Sequence, residues 1–510
     1  MFKKLLFSVL ASCLMINSVS ASNVWLNDLR SLFLSNNAII LAVNLRTFAA
    51  QDTNKNGIID EDEESGNFLN AIGRLDEISA QGINTLHILP IMELGKTKAL
   101  GTAGSLYAPA SFNKLNPQLK SKRSALSVEE QAVKFINEAH KRNIRLIVDV
   151  PACGSYDLFK KNPELFIKDA SGNPISPKDW SDVYLLNAGH ESKVNLDVYN
   201  LYKNYVDYVI SLGFDGIRAD VATIKPAKFW QDLIAYSRQK DPQFMWLAES
   251  SDAWNVPIDR KVIFTPNDKL LEAGFDGFYG SYFDIKDWGK ASKLTDYIKF
   301  TKSMAYNEPK AVIGSFSTHD DISPILINGL GYSKMIMWLN ATLPVNSYFV
   351  DGFQTGDNYL YFYSNKRANK SETDYNKYFV HRGKIDIFNF SRKPGGNNDR
   401  LKEDFIAANG FKNYIAPIIK NGKYVILKTN NPKVFAYAIS YVKTTVLVIG
   451  NIDFKNVNEA TVKVSGFNED LLTVPIYLNN NSPVAEKGRF KVKLDPNEVQ
   501  VLLINDFVLK

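Results

Sequence analysis

The chain has 510 residues and a formal net charge of +6, with 45% hydrophobic, 22% charged and 12% aromatic residues. These proportions are close to those of average soluble globular proteins, which excludes disordered and fibrous classes. The positive excess is small for this length and is dispersed, so no basic block indicates nucleic-acid binding. The length suits a large domain with insertions and a smaller second domain.

The first 21 residues have the pattern of an export signal. Lys3 and Lys4 precede the apolar run LLFSVLASCLMI, and the small residues VSA end at Ala21. We therefore predict cleavage after Ala21 and an extracytoplasmic protein. The run is shorter than the ~20 residues of a membrane-spanning helix. An alternative is a lipoprotein box, LASC, in which Cys13 is lipidated.

An apolar run at 38–43 predicts a strand buried in a parallel sheet, and the loop DTNKNGIIDEDE follows it. Oxygen-bearing residues recur there at the spacing of a calcium loop, with Gly57 in the sixth position. The predicted Ca²⁺ ligands are Asp52, Asn54, Asn56, Ile58 through its carbonyl, Asp60 and Glu63. Because no helix precedes the loop, we expect a structural ion in a strand-to-helix connection rather than an EF-hand. An acidic solvated turn is the alternative.

Helical and strand patterns then alternate, as in an α/β protein. The predicted helices lie at 68–81, 127–141, 199–212 and 228–240, and the predicted strands at 85–90, 145–150, 244–249 and 311–316. Residues 153–201 are too many for an ordinary connection and predict a small inserted subdomain.

The stretch GFDGIRAD at 213–220 ends in an arginine and a carboxylate two residues apart. Residues i and i+2 of a strand share a face, so Arg218 and Asp220 are expected to project together. A guanidinium favours the ionised form of a neighbouring carboxylate, which suits a nucleophile. A surface salt bridge at a strand end is the alternative.

Two more predicted strands lead to carboxylates. Glu249 ends the strand at 244–249, and Asp320 follows the strand at 311–316 with His319 beside it. In a (β/α)₈ TIM barrel such strand ends converge on one face. Carboxylates placed on either side of a sugar perform glycoside hydrolysis.

The stretches GFDGIRAD, LAES and STHD, in this order, resemble the signature regions of the α-amylase family of glycoside hydrolases. The resemblance spans most of the chain and includes QGINTLHILPI, GSLYAPASF and LPVNSYFVDG. It implies that Asp220 is the nucleophile, Glu249 the general acid/base and Asp320 the transition-state stabiliser.

The resemblance also implies the substrate-binding residues. Arg218 would orient Asp220, His319 would hydrogen-bond the sugar hydroxyls, and Tyr107 would stack on the ring being cleaved.

The chain departs from the family after the third strand. Where the family usually has Asp-x-Val-x-Asn-His, residues 149–154 read DVPACG, so Gly154 replaces a sugar-contacting histidine. Cys153 replaces an asparagine that binds a structural calcium in many members, and we expect it to be a small buried filler rather than a reactive thiol. Thr223 and Ile224 replace a frequent Lys-His pair. We expect Gly154 to weaken binding of the sugar, because the hydrogen bond of the replaced histidine is absent.

Past about Asn409, runs rich in β-branched and aromatic residues predict a C-terminal antiparallel β-sandwich. The predicted divisions are a barrel at 22–152 and 202–409, an insert at 153–201 and the sandwich at 410–510.

The sequence therefore predicts an exported, monomeric, retaining enzyme that cleaves α-glucosidic bonds, α-1,4 in starch or malto-oligosaccharides. One alternative is a glucanotransferase of the same fold. Another is a non-catalytic carbohydrate-binding protein on a decayed barrel, against which the three intact carboxylates argue. Chain-length preference and endo or exo mode are left open.

Overall fold

The computed structural model describes residues 25–50, 53, 62–99, 104–177, 181–250, 256–258, 261–280, 282–303, 309–321, 323–356, 399–478 and 480–509. The predicted export signal and the calcium ligands other than Glu63 lie outside these residues and remain predictions.

Eight parallel strands form a closed barrel in which each strand pairs with its neighbours in chain order and the last pairs with the first. They are β1 (Ile39–Val43), β2 (Thr85–Ile88), β3 (Arg145–Val150), β4 (Gly216–Ala219), β5 (Met245–Ala248), β6 (Gly277–Tyr279), β7 (Ala311–Gly314) and β8 (Asn346–Val350). Nearly every strand residue is buried, because side chains point either into the barrel or against the surrounding helices. The predicted (β/α)₈ barrel is confirmed.

Most α-helices of the described residues surround this barrel or connect its strands. The described α-helices are α1 (Leu29–Leu34), α2 (Leu45–Phe48), α3 (Phe68–Ile72), α4 (Leu75–Ala80), α5 (Val128–His140), α6 (Tyr156–Lys161), α7 (Leu196–Leu212), α8 (Ala227–Lys240), α9 (Asn267–Glu272), α10 (Ser292–Ser303), α11 (Pro324–Thr342), α12 (Asp399–Tyr414) and α13 (Ala416–Asn421). Of these, α1 lies at the amino-terminal end of the barrel, and α13 packs against the C-terminal sheet. Single 3₁₀ turns lie at Pro117–Leu119, Pro163–Leu165, Ala222–Ile224 and Phe353–Thr355, and a longer one at Tyr282–Asp287.

Local sequence signals explain several helix ends. Ser127 and Glu130 form a reciprocal capping box at the start of α5. Gly213 ends α7 in the left-handed conformation, with φ 104°. The helix predicted at 68–81 is two helices, because α3 ends at Ile72 with Gly73 as its cap.

The amino-terminal end of the barrel is sealed by α1 and the residues before it. The Trp25 indole N–H donates to Oδ1 of Asp215 at 2.8 Å, just before β4. Arg30 Nε lies 2.8 Å from Oδ1 of Asp276, just before β6. Strand-end residues on the opposite, carboxyl-terminal face remain available for a site.

The segment after β3 holds small paired strands rather than one sheet. Cys153–Gly154 pairs with Tyr184–Leu185, and Gly189–His190 with Lys193–Val194. The barrel helix α7 begins at Leu196, inside the range predicted for the insert. A further hairpin, Val256–Ile258 with Lys261–Ile263, follows β5.

Two antiparallel sheets make up the C-terminal part. Their strands are β9 (Lys423–Ile426), β10 (Val434–Tyr441), β11 (Thr444–Asn451), β12 (Asn458–Lys463), β13 (Thr473–Tyr477), β14 (Val484–Glu486), β15 (Arg489–Leu494) and β16 (Val499–Asn505). The five-stranded sheet has the order β9-β10-β11-β16-β13 and the other β12-β15-β14. The predicted C-terminal β domain is confirmed.

The boundary predicted at 409/410 falls within α12, and helical structure continues to Asn421; the domain divisions remain predictions. Asn409 itself is buried, and its side-chain amide donates to the Gln81 carbonyl at 3.0 Å. No described helix has the length and apolar character needed to cross a membrane.

Candidate active site

The carboxyl-terminal ends of β3, β4 and β5 bring three carboxylates onto one arginine. Arg218 is fully buried, and its Nη1 lies 3.2 Å from Oδ2 of Asp149 and 2.9 Å from Oδ1 of Asp220. Its Nη2 lies 2.8 Å from Oε2 of Glu249. The pairing predicted from the i, i+2 spacing is therefore present. Because Arg218 is buried, the surface salt-bridge alternative is excluded.

Asp220 is held through both carboxylate oxygens. Oδ1 faces Arg218, and Oδ2 accepts a 3.0 Å hydrogen bond from the backbone N–H of Ala152. Burial raises the pKa of Asp220 to about 7; Arg218 opposes this shift, whereas Glu249 and Asp149 add to it. The expectation that the neighbouring guanidinium keeps Asp220 ionised is therefore incomplete, because the effect of burial on this pKa is larger than that of Arg218.

Glu249 is positioned by a backbone group as well as by Arg218. Its Oε2 accepts a 2.8 Å hydrogen bond from the N–H of Val221, the residue directly after Asp220. Val221 has φ 36° and ψ 55°, a left-handed conformation that is unusual for a β-branched residue. This strained turn aims its N–H at Glu249, so the two carboxylates are coupled through adjacent residues.

Asp320 and His319 follow β7 and join the same face. Asp320 Oδ2 lies 3.4 Å from Nε2 of His319, and 28% of the Asp320 side chain is exposed. Burial, with the charge of Glu249, raises the pKa of Asp320 well above its usual range. Burial and Arg218 lower the pKa of His319 well below its usual range, so this imidazole is neutral at pH 7.

Tyr107 links Asp149 to His319. Its hydroxyl donates to Oδ2 of Asp149 at 2.6 Å and lies 2.9 Å from Nε2 of His319. The rings of Tyr107 and His319 are nearly parallel, at 8°. The structure thus brings all six predicted catalytic and substrate-binding residues into one cluster; their roles remain predictions.

Polar side chains inside the barrel support this cluster, and sequence reasoning did not assign them to the site. His87 on β2 bridges Oδ1 of Asp149 and the hydroxyl of Tyr348, both at 2.9 Å. Arg218 Nε donates to the Tyr279 hydroxyl at 3.1 Å. Burial alone would raise the pKa of Asp149, but Arg218 and His87 lower it to about 2. The sequence signal that could have indicated these residues is the presence of polar side chains within otherwise apolar strands.

The two replaced family positions after β3 face in different directions. Gly154 faces Phe166 and Leu158: a Cβ there would lie 2.8 Å from Phe166 Cζ and 2.9 Å from Leu158 Cδ2. The expectation that this position contacts sugar is not supported, because packed side chains fill the space. Cys153 is 1% exposed, and burial raises the pKa of its thiol, which suits a buried filler.

Of the predicted calcium ligands, Glu63 lies within the described residues. It is buried, and its Oε1 accepts hydrogen bonds from the backbone N–H and, at 2.7 Å, the hydroxyl of Thr53. The last ligand of such a loop is expected to fold back towards its start in this way. Among the described residues, no group of three or more His, Cys, Asp or Glu side chains is arranged to hold a metal ion.

A buried arginine that joins carboxylates at the carboxyl-terminal strand ends of a (β/α)₈ barrel defines a candidate active site. No family model matches the chain. The alpha-1,4-glucan:maltose-1-phosphate maltosyltransferase of Picrophilus torridus is 25% identical to it, over 82% of this chain and 64% of that protein. The protein of the same name from Corynebacterium glutamicum is 23% identical, over 78% and 57%. This chain thus spans less than two thirds of the length of these relatives.

Solved structures share the fold. A maltogenic alpha-amylase, AmyB, from Thermotoga neapolitana superposes with a TM-score of 0.66 and 21% identity, covering 93% of this chain and all of the other. An alpha-amylase from Lactobacillus plantarum gives 0.68 and 18% with the same coverage. Together these comparisons confirm the resemblance to the α-amylase family of glycoside hydrolases.

Proposed function

We propose that this protein is a retaining enzyme that cleaves α-1,4-glucosidic bonds in starch or malto-oligosaccharides. The observation that carries the proposal is the single Arg218 guanidinium that contacts both Asp220 and Glu249, with Asp320 on the same face. A carboxylate nucleophile and a carboxylic acid side by side are the two groups that glycosidic cleavage with retention requires.

In the first step, a carboxylate oxygen of Asp220 attacks the anomeric carbon of the bound sugar. The bond from that carbon to the leaving glycosidic oxygen breaks, and Glu249 transfers its proton to this oxygen. The ring carries positive charge in the transition state, and the carboxylate of Asp320 would share it. The product of this step is a glycosyl ester on Asp220.

In the second step, Glu249 acts as a base. It removes a proton from an incoming hydroxyl, whose oxygen attacks the anomeric carbon while the ester bond to Asp220 breaks. Two successive inversions return the original α-configuration. Glu249 is then protonated and Asp220 ionised, as at the start.

Retention is favoured because the two carboxylates share one guanidinium and project from neighbouring strands. Carboxyl groups about 5–5.5 Å apart leave no space for a water behind the sugar, whereas about 6.5–9.5 Å would permit inversion. Arg218 touches both carboxylates directly, which supports the short arrangement.

A glycosyl transferase is the second candidate, and the names of the curated relatives favour it. Both are named for transfer of maltose from maltose 1-phosphate to an α-1,4-glucan. In this case a sugar hydroxyl, or inorganic phosphate in the reverse direction, would replace water in the second step. The residues Asp220, Glu249 and Asp320 would keep their roles.

Product analysis with maltopentaose, with and without inorganic phosphate, tests both candidates. Hydrolysis gives shorter sugars, transfer between glucans gives longer ones, and transfer to phosphate gives a sugar phosphate detectable by mass spectrometry. ¹H NMR of the first product gives its configuration, and an α-anomer is expected. A first-formed β-anomer would contradict retention, and absence of every product would contradict the proposed function.

We also propose that the enzyme acts outside the cytoplasm after removal of residues 1–21. The basic start, apolar run and small-residue site support this proposal. Amino-terminal sequencing of the protein from the extracytoplasmic fraction should begin at Ser22. A lipid-linked Cys13 at the amino terminus would instead support the lipoprotein alternative.

A further inference from the structure

Lys225 is a charged side chain buried beside the active site for which the proposed reaction has no use. It lies directly after Thr223 and Ile224, which replace the Lys-His pair frequent in the family, and none of its surface is exposed. Its ammonium lies 5.0 Å from the ring centre of Tyr202 and 6.0 Å from that of Trp230. Burying an ammonium group is costly unless it is paired or hydrogen-bonded, so its contacts require an explanation.

The polar contact of this ammonium is with the loop that holds the nucleophile. Lys225 Nζ donates to the carbonyl of Ala152 at 3.0 Å. The backbone N–H of Ala152 in turn donates to Oδ2 of Asp220 at 3.0 Å. Lys225 therefore holds the backbone of Ala152, and the N–H of Ala152 holds the carboxylate of Asp220.

A second buried side chain acts on the neighbouring peptide. The hydroxyl of Tyr202 donates to the Pro151 carbonyl at 2.6 Å. This carbonyl belongs to the peptide unit whose N–H, on Ala152, contacts Asp220. A hydrogen bond to a peptide carbonyl polarises the N–H of that unit and strengthens its own donation.

The backbone of Lys225 is fixed as well. Its carbonyl accepts a 2.6 Å hydrogen bond from the Thr265 hydroxyl, and the N–H of Thr265 donates to the Thr223 carbonyl at 2.8 Å. The side chain thus extends from a fixed point towards a second loop. Burial lowers the pKa of Lys225 to about 8, so the group is mainly cationic at pH 7.

We propose that Lys225 is a positioning residue for the nucleophile: its buried ammonium holds the Ala152 backbone so that the Ala152 N–H stays on Asp220. This inference rests on the proposed function, because it assigns the nucleophilic role to Asp220. It adds that Lys225 acts on the rate of the chemical step rather than on substrate binding.

The test is Lys225→Met, which keeps an unbranched side chain of similar length without its charge. We expect kcat to fall about 10- to 100-fold, because a small displacement of a reacting group has a large effect on rate. KM should change less than about twofold, since Lys225 is away from the sugar. The acid limb of kcat/KM should move to higher pH, because the pKa of Asp220 should rise when its carboxylate loses a fixed hydrogen-bond donor and a nearby cation. Arg218, Glu249 and Asp149 also act on the pKa of Asp220 and are unchanged in this variant.

Lys412→Met is the matched control. Lys412 is 1% exposed and its ammonium also donates to carbonyls alone, those of Asn340 at 2.9 Å and Val345 at 2.7 Å. It should lower the melting temperature in the same way as Lys225→Met. It should not change kcat or the acid limb, because these contacts are away from Asp220.

A crystal structure of Lys225→Met provides a readout that does not depend on activity. Loss of the contact between the Ala152 N–H and Asp220 supports the proposal, and an unchanged contact with unchanged kcat overturns it. If Lys225→Met does not fold, Lys225→Gln decides, because its side chain is shorter and carries no charge: a lower kcat at constant KM supports the assignment, and wild-type kinetics contradict it. The two proposals can fail separately. If the wild-type enzyme is inactive but Ala152 is displaced in the crystal structure of Lys225→Met, the proposed function is refuted and the positioning contact is not.

Discussion

Arg218 and Asp149 form a fully buried ion pair, with 3.2 Å between Nη1 and Oδ2, on adjacent barrel strands. The pair lies directly beneath the candidate nucleophile, because the same Nη1 contacts Asp220. The charge of Asp149 therefore affects both the stability of the barrel and the ionisation of the site above it.

Asp149→Asn should reduce the free energy of unfolding at pH 7 by about 3–5 kcal/mol, since one partner of a buried ion pair is lost. The pKa of Asp149 is lowered to about 2 in the folded protein and has its ordinary value near 4 in the unfolded chain. Its stabilising contribution is therefore complete above about pH 4 and is lost as the pH falls towards 2. Denaturant titrations at pH 7 and pH 3 should show a smaller difference from wild type at pH 3. An equal difference at both values would contradict this linkage.

The wild-type acid limb of kcat/KM should lie near pH 7. Asp220 must be ionised to attack, and burial raises its pKa to about 7, so activity should fall as the pH drops below this value. Because Glu249 adds to this shift, Glu249→Gln should move the limb to lower pH. The substrate for this measurement is a glycosyl fluoride, because its fluoride leaving group departs without being protonated. A limb near pH 4 in the wild type would show that Arg218 dominates after all.

Asp220→Asn and Glu249→Gln should differ in the substrates they still use. Asp220→Asn should abolish turnover of every substrate, because no covalent intermediate forms. Glu249→Gln should lose activity on malto-oligosaccharides but retain part of it on substrates whose leaving groups need no protonation. Equal loss on both substrate types in Glu249→Gln would remove Glu249 from the acid role.

Gly154→His should destabilise the protein without tightening substrate binding. A Cβ at this position would lie within 3 Å of Phe166 and Leu158, and overpacking a core typically costs about 1–3 kcal/mol. Gly289→His is the control, because Gly289 is exposed and has no atom within 4 Å of its Cβ position. Melting temperatures and KM values of both variants give the comparison. A lower KM in Gly154→His would place this residue at the sugar after all.

Removal of calcium should lower the melting temperature. It should leave kcat unchanged at temperatures where the calcium-free protein is folded, because the predicted ion is structural and takes no part in the chemical step. The predicted loop lies in the connection after β1, and a ligand that binds the folded state alone stabilises it. Melts with and without excess chelator, together with metal analysis of the purified protein, provide the measurement. Asp60→Ala should abolish the chelator effect. An unchanged melt and no bound ion would refute the site.

The barrel could be predicted because its strands are almost wholly buried. Continuous apolar runs such as 38–43 leave little choice of element, and β1 occupies Ile39–Val43 in the structure. The short spacing of Arg218 and Asp220 likewise fixed their relative direction before any fold was known. Local pattern was therefore sufficient for the strands and for this pair.

Contacts that depend on distant parts of the chain could not be predicted in the same way. His87 meets Tyr348 across 261 sequence positions, and nothing near either residue in the sequence indicates the other. Nothing near Lys225 in the sequence indicates that its side chain is buried against Ala152, a contact that the fold alone creates. The pKa of Asp220 was misjudged for the same reason, since burial depends on the whole barrel.

The seal at the amino-terminal end of the barrel has a consequence for the order of folding. Trp25 meets Asp215 across 190 positions, and Arg30 meets Asp276 across 246. Contacts of such long range are opposed by the entropy of closing the intervening chain, and they slow folding. The first described residues must therefore wait until the chain as far as β6 is available. During synthesis, the earliest-made segment of the barrel would be among the last to dock.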